Sequence, residues 1–166
     1  IGPGFDCIGI ALNLYNTVSV QEIDEGLQIE ITDKTKAFLP RDKKNLVYRS
    51  ITAVFNEAGY AQKGIRIIQT NEVPVTRGLG SSSASVVGGV IAANEICNAK
   101  MRKDDIISFA SNLEGHPDNA TPAILGGFVV AVISNKSTFY HKADISPKKL
   151  KFGVFLPNFI LKTKKA

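Results

Sequence analysis

Between a predicted strand and a predicted helix lies Pro74-Val-Thr-Arg-Gly-Leu-Gly-Ser-Ser-Ser-Ala-Ser85, in which two glycines flank one leucine and three serines follow. Gly78 and Gly80 can adopt backbone angles closed to other residues, so successive N–H groups can converge on an anion. The positive end of the following helix dipole points at the same place. The pattern predicts a phosphate-binding loop, although it lacks the lysine of the G-x-x-x-x-G-K-[ST] loop. An ordinary turn with a serine cap is the alternative.

Two further segments give this loop a context. The chain opens with Ile1-Gly-Pro-Gly-Phe-Asp-Cys7, and Glu114-Gly-His-Pro-Asp-Asn119 lies past its midpoint. Together with the glycine loop, these segments resemble the three sequence motifs of GHMP kinases and occur in the same order. Within that superfamily, the chain most closely resembles the homoserine kinases. Arg77 directly before the glycines supports the closer resemblance. Mevalonate-type kinases, which carry a catalytic aspartate where this chain has Asn119, are the first alternative.

The resemblance implies ATP-dependent phosphorylation of the side-chain hydroxyl of L-homoserine, which gives O-phospho-L-homoserine on the path to threonine. ATP and Mg²⁺ would then be the cofactors. The residues expected at the nucleotide are Pro74, Val75, Thr76, Arg77, Gly78, Leu79, Gly80, Ser81, Ser82, Ser83 and Ala84, with Asn45 and Val47 at the adenine. Arg77 either adds positive charge beside the phosphates or points to solvent.

The magnesium ion is expected between Ser82 and Glu114, again by resemblance. Glu114 ends a predicted helix, where the helix dipole disfavours an anion unless a cation lies nearby. Hydroxyl and carboxylate oxygens are the ligands that Mg²⁺ prefers, and it usually takes only one or two of them from the protein. The alternative for Glu114 is an exposed carboxylate at a frayed helix end.

The acceptor side is expected to use four residues. The resemblance places His116 and Asn119 at the reacting amino acid, Asp6 at its ammonium group and Thr163 in its binding site. Asn119 is a poor base, so transfer would depend on aligning the hydroxyl with the γ-phosphate. Asp118 is predicted to be the N-cap of a short helix, and a local cap is also the alternative for Asp6.

Composition limits the remaining possibilities. The chain of 166 residues fits one domain, 44% of its residues are hydrophobic, and Cys7 and Cys97 suit neither a disulfide framework nor a zinc site. We expect a cytoplasmic protein without a membrane segment and without a nucleic-acid partner, and a homodimer is left open. The net charge of +5 is concentrated late in the chain, so a non-catalytic RNA-binding domain is retained as an alternative function of a different class.

The hydrophobic pattern predicts an α+β fold with a mixed sheet. Predicted strands cover residues 14–23, 27–31, 64–70, 128–133 and 152–156, and predicted helices cover 46–58, 82–97, 103–113 and 120–125. Residues 24–26 are predicted to join the first two strands as a hairpin turn. The resemblance implies a fold like domain 2 of ribosomal protein S5, with four or five strands and helices on one face. It assigns residues 1–166 to a nucleotide-binding domain and implies a second, C-terminal domain that this chain does not contain.

Overall fold

The computed structural model of the protein describes residues 4–145 and 152–153. Its strands are β1 (Ile8–Ile10), β2 (Asn16–Ile23), β3 (Leu27–Ile31), β4 (Gly64–Asn71), β5 (Phe128–Ser134) and β6 (Ser137–Ala143). Its helices are α1 (Leu46–Glu57), α2 (Ser81–Cys97), α3 (Lys103–Glu114) and α4 (Ala120–Leu125), and one 3₁₀ turn covers Lys34–Ala37. The four predicted helices are confirmed. The predicted strand over 152–156 and Thr163 fall largely or wholly outside the described residues.

The mixed sheet has the order β2-β4-β3, with β2 antiparallel and β3 parallel to β4. The predicted hairpin between β2 and β3 is therefore wrong, because β4 lies between them. β4 is the most deeply buried of the three strands, whereas β2 and β3 each alternate partly buried residues with exposed ones. β4 is the central strand, and both of its backbone edges are paired, which accounts for its deeper burial.

The second sheet is antiparallel and has the order β1-β5-β6. β5 and β6 form a hairpin whose two turn residues, Asn135 and Lys136, have φ values of 50° and 65°, the backbone that tight hairpins favour. Neither β1 nor the range of β6 was predicted from the sequence. The α+β class is confirmed, but within residues 4–145 the strands divide between two three-stranded sheets instead of forming one sheet of four or five.

The hydrophobic core lies between the mixed sheet and the pair α1 and α2. Val47 and Ile51 of α1, Ile65 and Ile67 of β4, and Val90 of α2 all have a relative exposure of 0%. On the opposite face of this sheet, Arg66 and Glu30 are exposed, so the helices cover one face only. Each buried aliphatic side chain contributes about 1.5–3 kcal/mol relative to an exposed one.

Gly89 lets α1 and α2 approach closely. A Cβ atom at Gly89 would lie 2.7 Å from the carbonyl oxygen of Val47 and 2.9 Å from Cβ of Ser50. Gly89→Ala is therefore expected to lower the free energy of unfolding by about 1–3 kcal/mol through overpacking. Urea unfolding of the full-length protein would measure the change.

The control for that prediction is Gly88→Ala. There the new Cβ would meet a side-chain methyl of Val18 at 3.2 Å, not backbone. Helix propensity, about 1 kcal/mol in favour of alanine, should then offset most of the crowding. Equal losses in the two variants would contradict the close approach of the helices.

No helix among the described residues has both the length and the apolar character that a membrane crossing requires.

Candidate functional site

The glycine loop ends directly at the start of α2. Gly78 and Gly80 have φ values of 69° and 76°, and Thr76 shares this left-handed region with a φ of 59°. Gly80 is the N-cap of α2 and makes no side-chain cap. The serine-capped turn is therefore wrong, since Ser81 is already the first residue of the helix. The first-turn N–H groups of α2 have no side-chain acceptor from the N-cap, as an anion-binding helix start requires.

The three serines differ in their environment. Ser81 and Ser83 are buried, with exposures of 7% and 1%, while Ser82 is exposed. The Ser82 hydroxyl donates to Oε2 of Glu114 at 3.2 Å, and the Ser83 hydroxyl donates to the same oxygen. The structure thus brings together Ser82 and Glu114, the two predicted magnesium ligands. The contact of Ser83 was not predicted, because the sequence does not show which serine of three faces α3.

The donor set at this point fits Mg²⁺. Glu114 is the last residue of α3, so its carboxylate lies at the negative end of that helix dipole. Two hydroxyl groups and one carboxylate are hard oxygen ligands beside a loop suited to phosphates. A cation here would offset the unfavourable placement of the carboxylate.

Asp118 connects the two residues predicted to contact the acceptor. Its Oδ1 lies 2.7 Å from Nδ1 of His116, and its Oδ2 accepts a hydrogen bond from Nδ2 of Asn119 at 3.1 Å. Because an ionised carboxylate only accepts, this geometry places the hydrogen of a neutral His116 ring on Nδ1 and leaves Nε2 as an acceptor. The predicted N-cap role of Asp118 is wrong. The N-cap of α4 is Asn119, and it makes no side-chain cap.

Asp6 lies beside this motif. It has a φ of 60° and is exposed, and its carboxylate, the His116 ring and the Asp118 carboxylate have ligand atoms within 4.8 Å of one another. Two carboxylates and an imidazole give this cluster a net negative charge. Such a cluster suits an ammonium group, the role predicted for Asp6.

The phosphate loop and the acceptor motif adjoin each other. A Cβ atom at Gly80 would lie only 3.0 Å from Oδ1 of Asn119. A small cleft of about 70 Å³ opens at the same point, and both residues line it together with Leu79, Ala84 and Pro122. A donor phosphate held on the loop and an acceptor held at Asn119 would therefore be neighbours.

Asn45 and Val47 have structural roles. Oδ1 of Asn45 accepts from the backbone N–H groups of Val47 and Tyr48, and its Nδ2 donates to Pro40 O and Gln69 Oε1. Asn45 is 2% exposed and Val47 is 0% exposed. The structure does not support the predicted adenine contact of these two side chains, because both are committed to the helix cap and the core.

Asp33 anchors the end of β4, just before the chain enters the glycine loop. Asp33 accepts from the N–H of Asn71 at 2.8 Å and from Nδ2 of Asn71 at 3.1 Å, and it also accepts from the N–H of Thr35. Desolvation raises the pKa of the Asp33 carboxyl, but the hydrogen bonds from Thr35 and Asn71 outweigh it and lower the pKa overall. The ionised carboxylate therefore anchors this strand end, and the anchor weakens as the pH falls below about 3.8 toward that lowered pKa.

Asn16, whose side chain contacts both ends of the loop, was not predicted from the sequence. Asn16 lies outside the three motifs, at the start of an amphipathic strand, and nothing in the local pattern distinguishes it.

The family model for the N-terminal domain of GHMP kinases matches residues 45–127. The chain belongs to the GHMP kinase family. Within this family, it is 46% identical over 166 residues to the homoserine kinase of Caldicellulosiruptor saccharolyticus and 43% identical over 167 residues to that of Clostridium botulinum strain Loch Maree. The match covers 100% of this chain but 53% and 54% of those relatives. The chain therefore spans about half the length of the curated relatives it matches.

Solved structures of the family agree with the fold. The homoserine kinase of Cytophaga hutchinsonii superposes with a TM-score of 0.67 at 30% identity, over 87% of this chain and 53% of that one. The mevalonate kinase of Methanococcus jannaschii superposes with a TM-score of 0.62 at 18% identity, over 82% of this chain and 48% of that one. The second likeness concerns the fold alone.

Proposed function

We propose that the full-length protein transfers the γ-phosphate of ATP to the side-chain hydroxyl of L-homoserine and releases O-phospho-L-homoserine. One observation carries the proposal: Gly80, at the start of the phosphate loop helix, packs against Asn119 of the acceptor motif. The names of the similar homoserine kinases support the choice of acceptor. An amino-acid kinase consumes ATP, which is consistent with a cytoplasmic enzyme.

The phosphates would bind at the glycine loop and the start of α2. The first-turn N–H groups of α2 receive no side-chain cap from Gly80, so they could donate to a phosphate, and the α2 dipole adds positive potential. Mg²⁺, when bound, would neutralise charge on the β- and γ-phosphates, and Ser82 and Glu114 are the residues that would hold it. Ser83 supports Glu114 from the buried side of α2.

The acceptor would be positioned by the residues around Asp118. The carboxylate of Asp6 would pair with the substrate ammonium, and Asn119 and His116, both bonded to Asp118, would hold the reacting end. None of these roles requires a strong base at Asn119, since alignment and charge stabilisation suffice for a loose phosphoryl transition state. The hydroxyl proton leaves with the phosphorylated product or passes to solvent.

A coupled ADP-release assay tests the proposal directly. With the full-length protein, L-homoserine is expected to support Mg²⁺-dependent ADP release, whereas mevalonate and sugars are not. Turnover of mevalonate alone would favour the mevalonate-type alternative. Steeply salt-dependent RNA binding without any nucleotide binding would instead favour the RNA-binding alternative.

A further inference from the structure

Asn16 bridges the two ends of the phosphate loop. It is the first residue of β2 and lies opposite Asn71 in the mixed sheet. Its Oδ1 accepts a hydrogen bond from the N–H of Val73 at 3.1 Å. Its Nδ2 lies 3.3 Å from both the carbonyl oxygen and the hydroxyl of Ser81. Val73 and Ser81 are the residues on either side of the loop 74–80.

The Asn16 side chain continues the sheet where the backbone pairing stops. The last backbone bond between the two segments runs from the N–H of Glu72 to the carbonyl of Tyr15 at 3.2 Å. The next residue, Val73, is buried at 5% exposure, and Asn16 provides the acceptor for its N–H. A buried N–H without an acceptor costs about 1–3 kcal/mol, so this contact fixes where the loop starts.

The amide nitrogen of the Asn16 side chain contacts Ser81, where the loop ends. By donating to Ser81, Asn16 holds the hydroxyl of this serine on the buried side of α2. Ser82 and Ser83 are then the serines left to face Glu114. One side chain therefore contacts both ends of the loop, and Ser81, the serine it binds, is the one of the three that does not donate to Glu114.

We infer that Asn16 is a positioning residue for nucleotide binding, which rests on the proposed function of the loop. Asn16 acts through Val73 and Ser81 and need not touch the nucleotide. A loop held in its binding conformation before the ligand arrives spends less of the binding free energy on ordering. Loss of Asn16 should therefore weaken nucleotide binding more than it weakens the fold or the acceptor site.

The decisive variants are Asn16→Asp and Asn16→Ala in the full-length protein. The aspartate can still accept from Val73 but cannot donate to Ser81, and alanine removes both contacts. The dissociation constant of Mg·ADP, measured by calorimetry, is expected to rise about tenfold or more in each, equivalent to about 1.4 kcal/mol. The KM for L-homoserine should stay within about twofold, and the unfolding midpoint without nucleotide should fall by only a few degrees.

Asn13→Asp is the matched control. It introduces the same charge three residues earlier, at an exposed side chain that accepts from the Tyr15 hydroxyl. Its affinity for Mg·ADP should remain that of the parent. A comparable loss in this variant would mean that added charge near the phosphates, and not the lost donor, explains Asn16→Asp.

The outcomes separate this inference from the proposed function. If the parent binds Mg·ADP and both Asn16 variants bind it equally well, the positioning role is wrong and the proposed function stands. An equal rise in the KM values for ATP and L-homoserine would also overturn the positioning role, because it would indicate general damage to the fold. If Asn16→Ala does not fold, the Mg·ADP affinity of Asn16→Asp alone tests the positioning role. A parent that binds no Mg·ADP would overturn both proposals.

Discussion

Replacing Glu114 by glutamine is expected to lower the turnover of the full-length protein about 100-fold, which corresponds to about 2.7 kcal/mol of transition-state stabilisation. The amide oxygen of glutamine can still accept from the hydroxyls of Ser82 and Ser83, so the contact between α2 and α3 is preserved. What the substitution removes is the negative charge available to a divalent cation. Initial rates over a series of magnesium concentrations would measure the effect.

Two features make this result specific. The apparent affinity for Mg²⁺ should fall together with turnover, so that raising the magnesium concentration restores part of the rate. Glu95→Gln, which makes the same change on the exposed side of α2, should leave the rates unaltered. Glu114→Gln with parental turnover at every magnesium concentration would rule out the metal role.

Gly80→Ala is expected to lower kcat/KM about 100-fold for both substrates. Two costs combine at this position. A φ of 76° lies in the region that L-residues with a Cβ rarely adopt, at a cost of about 1–2 kcal/mol. The new Cβ would also press on Oδ1 of Asn119 at 3.0 Å, shifting the loop, the acceptor residue or both. Relieving this contact requires a shift of a few tenths of an ångström, and reacting groups are sensitive to position, since a misplacement of about 1 Å can cost about 100-fold.

The chain offers two controls that share the backbone cost without the contact. Gly78 and Gly59 have φ values of 69° and 62°, and a Cβ at either would meet nothing within 4 Å. Gly78→Ala should disturb nucleotide affinity and leave the KM for L-homoserine near that of the parent. Gly59→Ala, at the end of α1, should lower stability by about 1 kcal/mol without changing the kinetics. If all three variants had the same kinetic profile, the contact with Asn119 would not matter.

Local signals predicted most of the elements and the position of the glycine loop, whereas most of the residues proposed at the site came from the family resemblance. Two glycines and three serines before an apolar run predicted the loop and α2. Asn45, followed by apolar residues on one helix face, predicted the start of α1. The approach of Ser82 to Glu114 was expected only from the family resemblance. The local sequence does not indicate that the end of α3 contacts the start of α2, because the two segments are about thirty residues apart.

The two cap errors are shifts of one residue, from Asn119 to Asp118 and from Gly80 to Ser81. The errors in strand topology share another cause, which is pairing between segments far apart in the chain. The insertion of β4 between β2 and β3 depends on a strand more than thirty residues away from its partners. The strand β1 is only three residues long and is stabilised by its pairing with β5, far downstream. Asn16 and Ser83 have their roles through contacts that do not follow from periodicity. Asn45 was assigned to the adenine by resemblance alone, and its 2% exposure follows from contacts with Pro40 and Gln69 that the local pattern does not show.

The hydrogen bond from Asn119 to Asp118 limits which substitutions position 119 can accept. Installing the aspartate of mevalonate-type kinases at position 119 would set two carboxylates about 3.1 Å apart, with Asp6 close by. Two carboxylates at this separation repel each other, and the hydrogen bond that Nδ2 of Asn119 donates to Asp118 would be lost. A general base could therefore be gained here only by first rebuilding the anionic surroundings that are proposed to recognise the amino group.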